Sequence, residues 1–207
     1  MFISILIGML AIINPFSTIP AWISLTHDYD NEFRKETLRK TIKTAVVLFV
    51  IVLFAGKAVL MFFGLSLPAI KLAGALMIVL AALKLEVSKP VKGAKITRKT
   101  VENHREDISF SPMAMPLIIG PGCIAVILTY LEEYGSLFHT LQPTLYIMIS
   151  GFIALALTWV LLRNSDKIMT KLGYGGIVAV SRLNGFILLC IGAQFLVSAI
   201  RDIINLI

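Results

Sequence analysis

The stretch INPFSTIPAW, residues 13–22, decides how this chain is read. It places two prolines, an asparagine, a serine and a threonine inside an apolar run that begins at Phe2. A proline removes one backbone donor and crowds the carbonyl four residues back. In hydrocarbon an unsatisfied backbone group costs several kcal/mol, so such a break must face protein or a water-filled cavity. A second stretch, PLIIGPGCIAV at residues 116–126, repeats the pattern in another apolar run.

The surroundings make these runs membrane spans. The 207 residues are 57% hydrophobic and only 15% charged, with mean hydropathy +0.88. Soluble domains average about 45–50% apolar and about 25% charged. Apolar runs near span length recur along the chain, and the short alternating segments of a β-barrel do not appear. The expected class is therefore an all-α, polytopic membrane protein. The first 26 residues lack a basic n-region, and their apolar run is too long for a cleavable leader.

Six spans are expected, at about 2–26, 41–63, 68–87, 109–130, 143–162 and 177–200. Gly64 and Pro68 mark the short turn between the second and third. Fifteen of the 19 Lys and Arg residues fall in three loops or in the span ends that border them. They are Arg34, Lys35, Arg39, Lys40 and Lys43; then Lys84, Lys89, Lys92, Lys95, Arg98, Lys99 and Arg105; then Arg163, Lys167 and Lys171. The alternate loops have none. By the positive-inside rule the basic loops are cytoplasmic and both termini lie outside. The net charge of +7 is thus a topology signature, with anionic lipid as a further partner, and no nucleic acid is expected.

Asn14 lies about twelve residues into span 1, ~18 Å along a helix, and Gly120 lies at a similar depth in span 4. Pro15 aligns with Pro121 at an offset of 106 residues. In spans 3 and 6, Lys71 falls on Arg182, Leu72 on Leu183 and Gly74 on Gly185, at an offset of 111. The order is broken span, plain span, glycine-bearing span, twice over. Because three is odd, the second copy is inverted. The chain divides as one transmembrane domain, 1–207, with repeat 1 at about 1–87, a cytoplasmic linker at about 88–108 and repeat 2 at about 109–207. Interrupted spans at matching positions of an inverted repeat point to a transporter's binding site.

NPFST (14–18), PAIKLAGAL (68–76), AMPLIIGPG (114–122) and SRLNGFILLCIGAQF (181–195) together resemble the MarC family of six-span inner-membrane proteins, across nearly the whole chain. The resemblance implies a 3+3 inverted-repeat fold and transport of small neutral amino acids. Many members carry Asp-Pro and Gly-Asn where this chain has Asn14-Pro15 and Ser17-Thr18. The departure removes a mid-membrane carboxylate and any ion coupling it would serve.

Asn14 is a good helix N-cap and Pro15 a good first helical residue. Gly120 and Gly122 allow close backbone approach on both sides of Pro121. Two half-helix N-termini with no nearby carboxylate suit an α-carboxylate. The candidate substrate site is therefore Asn14, Pro15, Ser17, Thr18, Gly120, Pro121, Gly122 and Cys123, with Asn184 hydrogen-bonding across from span 6. Packing kinks are the alternative for either break taken singly. Lys71 and Arg182 are expected to snorkel, or to act as a pair of gating charges. Ser150 and Thr158 are expected to bond back to their own helix. Trp22, Trp159 and Tyr130 are placed as interfacial aromatics.

No Asp or Glu is expected at mid-depth, which argues against proton coupling. The three histidines lie in loops, and no HExxH motif or paired acids occur, so an enzyme is not expected. Neither a metal nor a cofactor is called for, and Cys123 and Cys190 read as packing residues. The leading reading is a secondary transporter of small neutral amino acids or similar zwitterions. A channel, or a scaffold without transport, is the alternative, and a homo-oligomer is compatible with either.

Overall fold

The computed structural model describes residues 1–62, 64, 66–87, 107–133 and 141–204. These form seven helices and one irregularly wound segment, with no strand among the described residues. The helices are α1 (Phe2–Ile13), α2 (Pro15–Leu25), α3 (Asn31–Phe62), α4 (Leu67–Val87), α5 (Pro121–Glu133), α6 (Leu141–Arg163) and α7 (Ser165–Ile204). The chain is an all-α membrane protein. Three stretches are long and apolar enough to cross a bilayer: Phe2–Leu25, Gln142–Arg163 and Ser165–Ile204. Ser109–Ile118 and Pro121–Leu131 form a bent pair that passes the same test together, and adds a fourth if the pair is one span.

Helix boundaries follow local chemistry. At α3, the Asp30 carboxylate accepts from the Phe33 N–H at 2.7 Å, an N-cap. At 32 residues α3 is ~48 Å long, well beyond the ~30 Å hydrocarbon layer. The charged turns before Thr41 thus extend an element expected to begin there. Gly64, at φ +63, supplies the left-handed residue that ends this helix region. α7 also starts earlier than expected, with a break at Gly173 (φ 67) between a short leading helix and the long apolar one.

The segment Ser109–Ile118 is wound in wide turns. Met113 N–H donates to the Ile108 carbonyl at 3.3 Å, and Ile119 N–H to that of Ala114 at 2.9 Å, both five residues back. Ser111 and Met115 are extended, at φ −125 and −134. Each precedes a proline, whose ring excludes the helical conformation from the residue before it. A 52° bend then leads into α5.

α4 packs antiparallel along most of α7. Lys71 meets Ser198 and Asp202 at one end, and a side chain on Gly192 would run into Val79 and the Ala75 carbonyl farther along. α1 packs on α6, and the Ser109–Ile118 segment and α5 pack on α3. α4 also packs on α5, while α2 and α1 pack on α7. Ile5, Met9, Phe49, Ile78, Val126 and Ile147 fill the main core, and a smaller core gathers around Trp22. Leu183 (68% exposed) and Ile204 (65%) face outward, a surface that lipid solvates at no cost.

Trp22 departs from its expected interfacial place. It is 1% exposed and packed with Ile19, Leu38 and Ile177, and Arg34 lies over its ring at 5.9 Å. Tyr130 is also buried, against Phe195. Trp159 is exposed, with the Arg163 guanidinium 5.1 Å from its ring. Thr158 donates to the Ala154 carbonyl at 2.8 Å as expected, whereas the buried Ser150 hydroxyl has no partner among the described residues. The linker, apart from Asp107 and Ile108, lies outside the described residues, as does the Lys57 side chain.

Candidate functional site

The break in the first span is a single residue. Asn14 adopts φ 45, ψ 64, a left-handed conformation that asparagine tolerates better than other side chains. It closes α1 through its N–H to the Leu10 carbonyl at 3.1 Å. It also opens α2, because its Oδ1 accepts the Ser17 N–H at 3.3 Å. Ser17 Oγ returns a bond to the Asn14 carbonyl at 3.0 Å, and Thr18 Oγ1 donates to the Pro15 carbonyl at 2.7 Å. The polar residues that looked odd in an apolar run thus satisfy the chain break locally.

One carbonyl finds its donor on another helix. The Ala11 carbonyl would accept from the N–H of residue 15, and Pro15 has none. Asn184 supplies the missing donor from α7, with its Nδ2 3.0 Å from the Ala11 oxygen. The expected cross-helix bond is therefore present, and it falls on the one carbonyl that the proline orphans.

The second break lies beside the first. A side-chain carbon on Gly122 would sit 3.3 Å from Ile12 Cδ1 and 3.5 Å from Ile78 Cγ1. The first turn of α5 therefore abuts the last turn of α1, with α4 behind. Gly120 is equally confined, since a Cβ there would lie 2.6 Å from the Pro116 carbonyl oxygen. Pro121 occupies the first position of α5, and Gly122 and Cys123 follow with amides that have no acceptor within the helix.

The two half-helix starts differ electrostatically. At α2, the Ser17 amide is already taken by Asn14. At α5, the two first-turn amides and the positive end of the helix dipole remain. Beside them stands the C-terminal end of α1, where carbonyls and the negative dipole end gather. Asn14, Thr18 and Cys123 are buried, Ser17, Gly120, Gly122 and Asn184 are partly exposed, and Pro121 is exposed.

Lys71 and Arg182 are not brought together. Lys71, 6% exposed, donates from Nζ to Asp202 Oδ2 at 2.8 Å and to Ser198 Oγ at 3.3 Å. Arg182 is exposed and lines a different groove with Phe186, toward the opposite end of the α4–α7 pair. Sequence reasoning missed Asp202 as the partner of Lys71. It also missed that the Ala11 carbonyl is the acceptor for Asn184, although Pro15, four residues on, marks that carbonyl.

At the N-terminal ends of α3 and α7, Arg34 binds Asp166 at 2.6 Å and Ser165 at 3.1 Å, and Lys40 reaches Asp107 at 3.5 Å. These contacts tie α3 to α7 and to the start of the wound segment. Ser109, through its hydroxyl and N–H, holds the Asp107 carboxyl below its usual range. Glu36 and Asp107 raise the Lys40 ammonium above its usual range.

Residues 1–204 match the model of a family described as MarC family integral membrane protein. The chain is 31% identical over 210 residues to the UPF0056 inner membrane protein MarC of Escherichia coli K12, covering 97% of this chain and 94% of that one. It is 31% identical over 196 residues to a UPF0056 membrane protein of Methanocaldococcus jannaschii, covering 94% and 93%. A UPF0056 membrane protein of Buchnera aphidicola is 29% identical over 204 residues, covering 99% and 93%. No solved structure matches the chain.

Proposed function

This chain belongs to the MarC family of integral membrane proteins, and we propose that it is a secondary transporter of small neutral amino acids or similar zwitterions. The observation that carries the reading is the meeting of the two interrupted spans. Gly122 of α5 abuts Ile12 of α1, and Asn184 closes the junction at Ala11. The substrate's carboxylate binds the Gly122 and Cys123 amides at the positive end of α5. Its ammonium faces the carbonyl end of α1. A junction that offers one positive and one negative helix end complements a zwitterion and disfavours a net ion.

The proposal includes six spans in two inverted halves, with both termini outside. Packing supports it. Exchanging 1–87 with 109–204 turns the α1–α6 contact into the contact of α3 with the wound segment and α5. It turns α4–α5 into the contact of α7 with α1 and α2, and maps α4–α7 onto itself. The buried faces of Cys123 and Thr18 imply that access requires the halves to rock apart, as alternating access demands.

The test is uptake of radiolabelled glycine, alanine, serine and larger amino acids into proteoliposomes. Saturable counterflow of the small neutral amino acids is expected. Non-saturating flux would make the protein a channel, and no flux with any of them would leave a scaffold.

A further inference from the structure

α7 carries a second set of polar groups away from the helix junction. A groove of about 450 Å³ runs between α1, α5 and α7. Ser4 and Ile7 of α1, Tyr130 of α5, and Ile187, Cys190 and Gln194 of α7 line it. It opens sideways on the outer, lipid-facing surface, where Ile7 is 53% and Ile187 42% exposed. Gln194 is exposed in it and has no hydrogen-bond partner among the described residues. A bare amide at membrane depth is unfavourable and marks a place where something else supplies the partner. No acidic or basic side chain lines the groove, so it offers a free zwitterion no counter-charge.

A cation stands directly above it. Arg201 lies seven residues beyond Gln194, two turns and ~10 Å along the same helical face. It is exposed, and none of the described residues pairs with it. The neighbouring Asp202 is committed to Lys71 on α4. From the membrane edge inward, this face therefore presents a guanidinium, then an uncharged amide, then an apolar trough. A glycerophospholipid presents phosphate, ester carbonyls and acyl chain in the same order and along the same axis. We propose that the groove between α1 and α7 holds one glycerophospholipid of the leaflet beside the α1 N-terminus. Arg201 binds its phosphate, the Gln194 Nε2 donates to an ester carbonyl, and one acyl chain lies over Cys190 and Ile187. Arginine suits phosphate because its forked donors match the anion's oxygens, and basic pockets between membrane helices recognise lipid head groups in this way.

Native mass spectrometry of the full chain in detergent tests this, with phosphatidylglycerol, phosphatidylethanolamine and the phosphate-free diolein added in turn. One phosphatidylglycerol or phosphatidylethanolamine per chain is expected to survive mild activation, and diolein is not. Arg201→Gln is expected to weaken retention about tenfold, the scale of one charge-assisted hydrogen bond, with Arg201→Lys retaining part of it. Gln194→Leu should weaken it several-fold, and Arg163→Gln, at the other membrane face, should not change it. Cys190 gives a second readout in membranes. Both weakening variants should speed its maleimide labelling, because the covering chain leaves more often. Equal retention by the wild type and both variants would overturn the proposal, as would diolein bound as well as phosphatidylglycerol. Efficient Cys190–Cys190 disulfide formation in native membranes would also overturn it, since it would put a second copy of the chain on this face.

Discussion

Replacing Asn184 by leucine should expose the cost that Pro15 imposes on the first span. The side chain is close to isosteric but loses the donor held 3.0 Å from the Ala11 carbonyl. Interhelical hydrogen bonds in membranes contribute ~0.6–2 kcal/mol, and a buried carbonyl left unpaired costs ~1–3 kcal/mol. Because Asn184 is only partly buried, the expected loss is about 1–2 kcal/mol. The mechanism makes a sharper claim. Pro15→Ala gives residue 15 an N–H that can bond the Ala11 carbonyl within the helix, leaving the Asn184 amide redundant. In that background Asn184→Leu should cost near zero, and the double variant should be about 1–2 kcal/mol more stable than the two single losses summed. Equilibrium unfolding of all four proteins in mixed micelles measures this coupling. An equal cost for Asn184→Leu with Pro15 and with Ala at that position would show that Asn184 does not compensate for the proline.

Four further outcomes are expected. Asp202→Leu strands the Lys71 ammonium, whose side chain is 7% exposed, whereas Lys71→Met strands a carboxylate that is 33% exposed and able to rehydrate. The first should therefore destabilise by ~2–4 kcal/mol and the second by less, with the double variant recovering most of the loss in the same unfolding assay. Asn14→Ala removes the Ser17 cap and strains φ 45, and should cost ~1–2 kcal/mol, while Asn14→Gly, which keeps the left-handed conformation, should cost less. Gly122→Ala places a carbon 3.3 Å from Ile12, a misfit of a few tenths of an ångström, so uptake should persist, whereas Gly122→Leu should lower it more than tenfold, as read in proteoliposomes. Asp107, whose folded carboxyl is held below the usual carboxylate range by Ser109, contributes stability that is complete above that range and lost as pH falls through the folded pKa. Asp107→Asn should remove that acid-side loss, as followed by thermal unfolding from neutral pH to about pH 3.

Much of this architecture is written locally. Pro15 with Asn14, and Gly120 with Pro121, announce both interruptions, because a missing N–H and a tolerated left-handed φ are properties of a residue and its near neighbours. Pro112 and Pro116 equally explain the wound turns before α5, although from the sequence this stretch reads as ordinary helix, because two spaced prolines do not reveal how the backbone between them rewinds. The pairing of Asn184 with a broken helix is also legible, since an amide in a lipid-solvated span has few uses other than bonding another span.

Partners far apart in the chain were decided by packing alone. Lys71 and Asp202 are 131 residues apart and Asn184 and Ala11 are 173 apart, and no periodicity carries that information. A helix satisfies its own backbone, so its sequence fixes which residues share a face without fixing which helix that face meets. For the same reason Trp22 could be placed near a span end but not inside a core, and Asp202 beside Arg201 but not against Lys71. Composition together with the places of Pro15 and Pro121 determined that this is an α-helical membrane protein with interrupted spans. Only the way the helices fit together determined that both interruptions meet, which charges neutralise each other, and that Gln194 and Arg201 are left exposed.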